Sequence, residues 1–283
     1  MRKVKALFYS SLSLLCLILL FVPLFWILIE ATLRGGYYIL ERPVEFFTDI
    51  GRPPGIVGGG IAHALQGSLY LLAMALLIGA PLGVLTGIYN AERRNSLLAK
   101  ASRFVSDIIV EFPTIIVGIV AYLTLASRIT GILATGPAAI IASLSLGLIM
   151  VPITARSVEA TLISIPNELR EAAYSLGLKD RQVLFKILLP IAKSGIVTAL
   201  LIGLAKIAGE SAPIIVSNGI SNFWFSSWSE PTASIPVLIY VYGLSPFNEW
   251  QTQAWAASLI LLIFVLGLGY IARRFTKEVW VRV

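Results

Sequence analysis

The sequence predicts an all-α integral membrane protein with six transmembrane helices. Of its 283 residues, 57% are hydrophobic and only 13% charged, where soluble domains run nearer about 25% charged. Four runs, 6–29, 64–91, 129–155 and 250–272, contain no Asp, Glu, Lys or Arg. Each is long enough for a hydrocarbon core that takes about 20 apolar residues per helix. The basic residues are sorted as well. With the N-terminus inside, 17 of the 22 Lys and Arg fall in inner segments and four, Arg34, Arg42, Arg52 and Arg128, in outer ones. That bias places both termini in the cytoplasm. It also makes the net charge of +7 a mark of topology and membrane-lipid contact rather than nucleic-acid binding.

The chain reads as one transmembrane domain over 1–283, with spans at 7–30, 64–90, 104–126, 137–155, 191–217 and 252–272. The first exceeds the h-region of about 7–15 residues in a secretory signal, and no A-x-A-like site follows cleanly, so it is expected to remain a span. It holds Cys16, the only cysteine, which excludes an intrachain disulfide. The outer connection 34–62 contains Arg52-Pro-Pro-Gly55 and Gly58-Gly-Gly60. Such irregular backbone cannot lie in lipid; it is either a hydrated linker or a contact surface for an external partner. His63, the only histidine, excludes a multi-histidine metal site and reads as structural.

The second span carries Gly79-x-x-x-Gly83-x-x-x-Gly87, a face of small residues that lets another helix approach closely. In the third, Asp107 and Glu111 share a face; they either pair with inner arginines or line the inner mouth of a pathway. Between the fourth and fifth spans, the inner segment 156–190 predicts a short helix over 167–175. Gly177 ends its turn with positive φ, and Asp180 caps a second helix, 181–189, stopped by Pro190. Ala172 and Ala173 would give a slim surface fit for a partner's groove.

The fifth span contains two charges four residues apart, Lys206 and Glu210, with Gly209 and Pro213 beside them. A charge at that depth costs about 2.5–3.5 kcal/mol on insertion scales, so it must face a cavity or a partner. The pair is either a self-neutralising ion pair or a solute gate in which the lysine attracts an anion. The outer connection 218–251 is dense in aromatics, among them Phe223, Trp224, Phe225, Trp228, Tyr242 and Trp250. They suit a headgroup belt and a protein interface equally.

Glu171-Ala-Ala-Tyr-Ser-Leu-Gly177, followed by Ile187-Leu-Leu-Pro190, resembles the coupling loop of ABC-importer permeases. Beyond it, Arg52-Pro-Pro-Gly55, Gly58-Gly-Gly-Ile-Ala62, Pro81-Leu-Gly83, Gly87-Ile-Tyr89, Phe112-Pro113-x-Ile115 with Gly118, and Gly209-Glu-Ser-Ala-Pro213 occur in order. From about residue 35 to 272 the chain is similar to the PstA family of phosphate ABC permease subunits. That resemblance implies the type I ABC importer permease fold in a cell membrane. It also implies a heterodimeric pore with a second, PstC-like permease, a PstS-like external phosphate-binding protein, and a PstB-like ATPase dimer that binds ATP and Mg. No cofactor is expected on this chain, which lacks a G-x-x-x-x-G-K-[ST] loop, so it would be a transport subunit rather than an enzyme.

By the resemblance, the coupling residues are Glu171, Ala172, Ala173 and Gly177, and the substrate pathway contains Lys206, Glu210 and Ser211. The family usually has arginine at Lys206 and threonine at Ser211. A lysine keeps the charge but loses the planar, bidentate grip on phosphate, which leaves molybdate, tungstate or sulfate as the alternative solute. A secondary transporter or channel, with Lys206, Glu210, Asp107 and Glu111 as a charge relay, is the other alternative. A membrane enzyme lacks support, because no nucleophile motif or His/Cys cluster is present.

Overall fold

The computed structural model describes residues 2–127, 132, 133 and 135–280, with side chains from 9–127, 132, 133 and 135–275. Arg128 and Arg282, both of which enter the charge bias, lie outside the described residues. The first half of the chain forms α1 (Arg2–Glu30), α2 (Gly36–Glu41), α3 (Pro43–Thr48), α4 (Ala62–Glu92), α5 (Leu97–Glu111), α6 (Thr114–Ala121) and α7 (Ala139–Ile163). The second half forms α8 (Asn167–Ser175), α9 (Asp180–Val183), α10 (Leu189–Ala208), α11 (Ala212–Asn218), α12 (Ile235–Gly243) and α13 (Asn248–Trp280). No strand occurs among the described residues. Among the described residues, five helical stretches are long and apolar enough to cross a membrane, or six if one bent pair is counted as a single span.

Two compact units emerge. The first joins Met1–Ile61 to Leu238–Ile260. In it α1 runs through a π-turn, Ala31–Gly35, into α2. The turn-rich loop 49–61 is not a free linker here, because side chains tie down its backbone. Tyr38 Oη donates to Gly59 O (2.8 Å), Gln253 Nε2 to Gly58 O (2.7 Å), and Trp250 Nε1 to Arg52 O (2.9 Å). Tyr242 is buried and stacks on Trp250 at 4.4 Å. Glycine is required at Gly59, whose φ is +97°, and at Gly60, where a Cβ would lie 2.3 Å from Glu45 O.

The second unit joins Ala62–Val237 to Leu261–Val283 and is built around α7. This helix is the most buried of the candidate spans, with 67% of its apolar window inside. Its N-terminal amides are satisfied by carbonyls of other segments: Ala138, Ala139 and Ile140 donate to Ser217, Glu230 and Trp228 at 2.9–3.0 Å. The glycine face of α4 packs on α7 as its spacing predicts. A Cβ at Gly79 would lie 2.8 Å from Gly147 O, one at Gly83 2.7 Å from Thr154 Cβ, and one at Gly87 2.6 Å from Ala155 O. In the aromatic connection, Phe225 packs on Tyr70 (4.5 Å) and Trp228 (4.9 Å), while Phe223 stays exposed.

Three expectations are corrected. The third span is broken: α5 and the helical stretch 114–126 meet at 106°. Pro113 removes a helical donor and holds Phe112 in extended conformation (φ −71°, ψ 144°), so the helix ends there. Pro190 does not stop a helix. A π-turn, Leu184–Leu188, widens the backbone just before it and relieves the clash of its ring with the preceding turn, so 180–208 runs as one stretch. Lys179, not Asp180, holds the N-cap position, and its amide is accepted by Gln182 Oε1 at 3.0 Å.

Candidate translocation site and coupling loop

The fifth span, expected to run to 217, is interrupted where its charges lie. Helix α10 ends at Ala208, Gly209 to Ser211 leave the helix, and α11 starts at Ala212 with Pro213 in its first turn. Pro213 lacks the donor that would continue the helix. At Gly209 nothing lies within 4 Å of where a Cβ would stand, so the backbone is accessible there. Lys206 lies in the last turn of α10, where a cation complements the C-terminal dipole.

Lys206 Nζ donates to Glu210 Oε1 at 2.5 Å, as the four-residue spacing predicts. The two side chains are unequally placed: the lysine is 53% exposed and the glutamate 12%. The second carboxylate oxygen is also engaged, for Thr114 Oγ1 donates to Glu210 Oε2 at 2.9 Å. Thr114 opens α6, directly after the Pro113 break, and α6 is pinned to α11: a Cβ at Gly118 would lie 2.7 Å from Pro213 Cα. Glu210 is thus a positioned, doubly engaged acceptor, while the Lys206 side chain stays about half exposed. Ser211 sits beside them, half-buried, with its carbonyl accepting from Ile215 N at 2.9 Å.

Sequence reasoning alone does not find Thr114. The one local signal is Phe112-Pro113, which starts a new helix next to the charged break. Of the two other acids, Asp107 forms an ion pair with Arg156 of α7, while Glu111 makes none among the described residues.

The loop expected to couple folds against its neighbours. Helix α8 ends in a Schellman arrangement: Gly177 N donates to Tyr174 O (2.8 Å) and Leu178 N to Ala173 O (3.2 Å), with Gly177 at φ +80°. Glu171 and Ala172 are exposed. Ala173 is not part of that surface. It is 2% exposed and packs with Leu162, Val183 and Leu188, because it is on the face of α8 that turns inward. Arg170 ties α8 to the end of α4 through both oxygens of Glu92, at 2.9 and 3.2 Å.

The chain is 39% identical over 251 residues to the phosphate transport system permease protein PstA of Yersinia pestis, covering 88% of this chain and 82% of that one. It is 38% identical over 256 residues to the protein of the same name from Haemophilus influenzae, covering 89% and 87%. Its fold matches a bacterial alginate ABC transporter solved with an alginate pentasaccharide-bound periplasmic protein. The TM-score is 0.68 at 22% identity, over 97% of this chain and 96% of that one. Residues 79–280, most of the chain, match a single family. On that match and those relatives, the chain belongs to the family of binding-protein-dependent transport system inner membrane components.

Proposed function

We propose that this chain is the permease subunit of an ATP-driven phosphate importer, with both termini on the cytoplasmic side of the cell's inner membrane. Its relatives are named for phosphate transport. The observation that carries the reading is the pair at the helix break, with Glu210 held from two sides and Lys206 half exposed at 2.5 Å from it. The ammonium attracts the anion, and the carboxylate orients the ammonium and accepts a hydrogen bond from a protonated phosphate oxygen.

Membership of the family supports the remaining parts of the reading. A PstC-like permease completes the pore, a PstS-like protein delivers phosphate from outside, and a PstB-like ATPase dimer with ATP and Mg drives the cycle through Glu171, Ala172 and Gly177. Residues 1–283 act as one permease domain. A lysine ammonium is a point charge without the planar fork of a guanidinium, which favours sulfate, molybdate or tungstate as the second reading.

Uptake of radiolabelled phosphate by the complete transporter in proteoliposomes, with these oxyanions as competitors, tests both. Lys206→Ala and Glu210→Ala are expected to abolish phosphate uptake while assembly survives. Normal uptake in both variants defeats the gate assignment, and gradient-driven uptake without an ATPase defeats the importer.

A further inference from the structure

The turn between α4 and α5 and the first turns of α8 border an open polar pocket of about 460 Å³, lined by Arg93, Arg94, Asn95, Ser96, Asn167 and Arg170. Its charge is not balanced. Glu92, also in the wall, is occupied by Arg170 at 2.9 Å, whereas Arg93 and Arg94 are exposed and have no acidic partner among the described residues. Two uncompensated guanidiniums beside amide and hydroxyl donors suit a phosphoryl anion, which each can grip with paired N–H groups.

A second feature starts at the same place. Leu97 and Leu98, the first residues of α5, are 83% and 69% exposed. Phe104, Val105 and Ile108 continue the exposed strip. At about 100° per residue all five fall on one side of α5, while Ala99 and Ser106 are buried on the other. The helix from 97 to 108 covers roughly 16 Å at about 1.5 Å per residue. The lining of the basic pocket thus ends at Ser96, one residue before an apolar strip of about the length of an acyl chain begins.

The geometry points to a binding site for an anionic glycerophospholipid, its phosphodiester in the Arg93–Arg94 pocket and one chain along the apolar side of α5. Charge bias places this turn at the inner leaflet, where basic groups meet anionic lipid. A free phosphate ion shares the headgroup chemistry but leaves the α5 strip unused. Because Arg170 and Asn167 belong to the coupling loop, an occupied site would touch the element proposed to receive the ATPase.

The test uses the assembled transporter in nanodiscs of mixed phosphatidylcholine and phosphatidylglycerol, with retained lipids counted by native mass spectrometry. The wild type is expected to retain phosphatidylglycerol over phosphatidylcholine by about thirtyfold, the scale set by two basic groups at an anionic surface. Arg93→Gln with Arg94→Gln removes that preference, and Leu97→Gln with Leu98→Gln weakens retention of both lipids. These arginines have no acidic partner to lose among the described residues, so assembly is expected to persist. An unchanged preference in the arginine variant overturns the site. Displacement of the retained lipid by millimolar inorganic phosphate, with the leucine variant behaving as wild type, overturns the lipid and assigns the pocket to a free anion.

Discussion

Thr114 Oγ1 donates to Glu210 Oε2 at 2.9 Å, joining two residues 96 positions apart at two separate helix breaks. One break is set by Pro113 and the other by Gly209 and Pro213. Each break frees backbone near the proposed pathway, and the hydrogen bond holds the carboxylate between them. Removing the hydroxyl leaves one oxygen of a largely buried carboxylate without its donor, at a cost of about 1.5–3 kcal/mol for a bond to a charged group. Thr114→Val is therefore expected to lower the phosphate uptake rate about tenfold or more, with Thr114→Ser restoring most of it. Equal rates for Val and wild type in proteoliposomes would show that Glu210 does not depend on this donor.

The α4–α7 contact makes a prediction about stability rather than transport. Gly83 faces Thr154 so closely that a Cβ would lie 2.7 Å from Thr154 Cβ, a fully buried atom. Gly83→Leu is expected to cost about 1–3 kcal/mol by overpacking or to separate the two helices. Gly267 in α13 is the control, because nothing lies within 4 Å of a Cβ there. Gly267→Ala should be neutral or gain about 0.5–1 kcal/mol from helix propensity. Thermal unfolding of the detergent-solubilised protein compares them, and a Gly83→Leu melting temperature equal to wild type refutes the contact.

Glu45 links the loop 49–61 to acid pH. Its carboxylate accepts from Gly59 N at 2.8 Å and pairs with Arg52 at 2.7 Å and Arg42 at 3.2 Å. The Gly59 amide above all, with the two arginines behind it, lowers its pKa below the ordinary value near 4.5. With the folded pKa depressed, the stabilisation is complete above the unfolded value and is lost as pH falls through the folded one. Hydrogen-exchange protection of residues 49–61, taken relative to the intrinsic rate at each pH, should therefore be high at neutral pH and fall in acid, below the ordinary Glu range. Glu45→Gln should show low protection at every pH. Acid-insensitive protection in the wild type contradicts the assignment.

How much of this is legible in the sequence depends on the physics behind each signal. The runs 6–29, 64–91, 129–155 and 250–272 announce helices because insertion depends on summed hydropathy, which composition records directly. Hydropathy carries no direction, so the 106° bend at Pro113 stays hidden although the proline itself is visible. Lys206 and Glu210 can be paired from sequence because an i, i+4 contact is local. Thr114 cannot, because its partnership exists only once α6 lies against α11. Ala173 misleads for a different reason. Alanine fits a docking surface and a tight core equally, and only the inward turn of α8 assigns it to the core.

Gly177 and Glu171 separate the fold of the coupling loop from its proposed docking. Gly177 adopts φ +80° with nothing within 4 Å of a Cβ, so substitution there meets no clash and is penalised by the backbone alone. An L-residue in that region costs about 1–2 kcal/mol, less for asparagine. Gly177→Val should loosen the Schellman turn, expose the 173–178 segment to protease and lower transport, whereas Gly177→Asn should stay close to wild type. Glu171 is exposed and its side chain forms no ion pair among the described residues, so Glu171→Trp should leave protease resistance unchanged. Its effect should appear in coupling: ATP hydrolysis by the assembled transporter would continue while phosphate uptake falls. If Glu171→Trp transports and hydrolyses as wild type, the exposed face of α8 does not meet the ATPase. If Gly177→Val alone fails, the loop matters only through its fold.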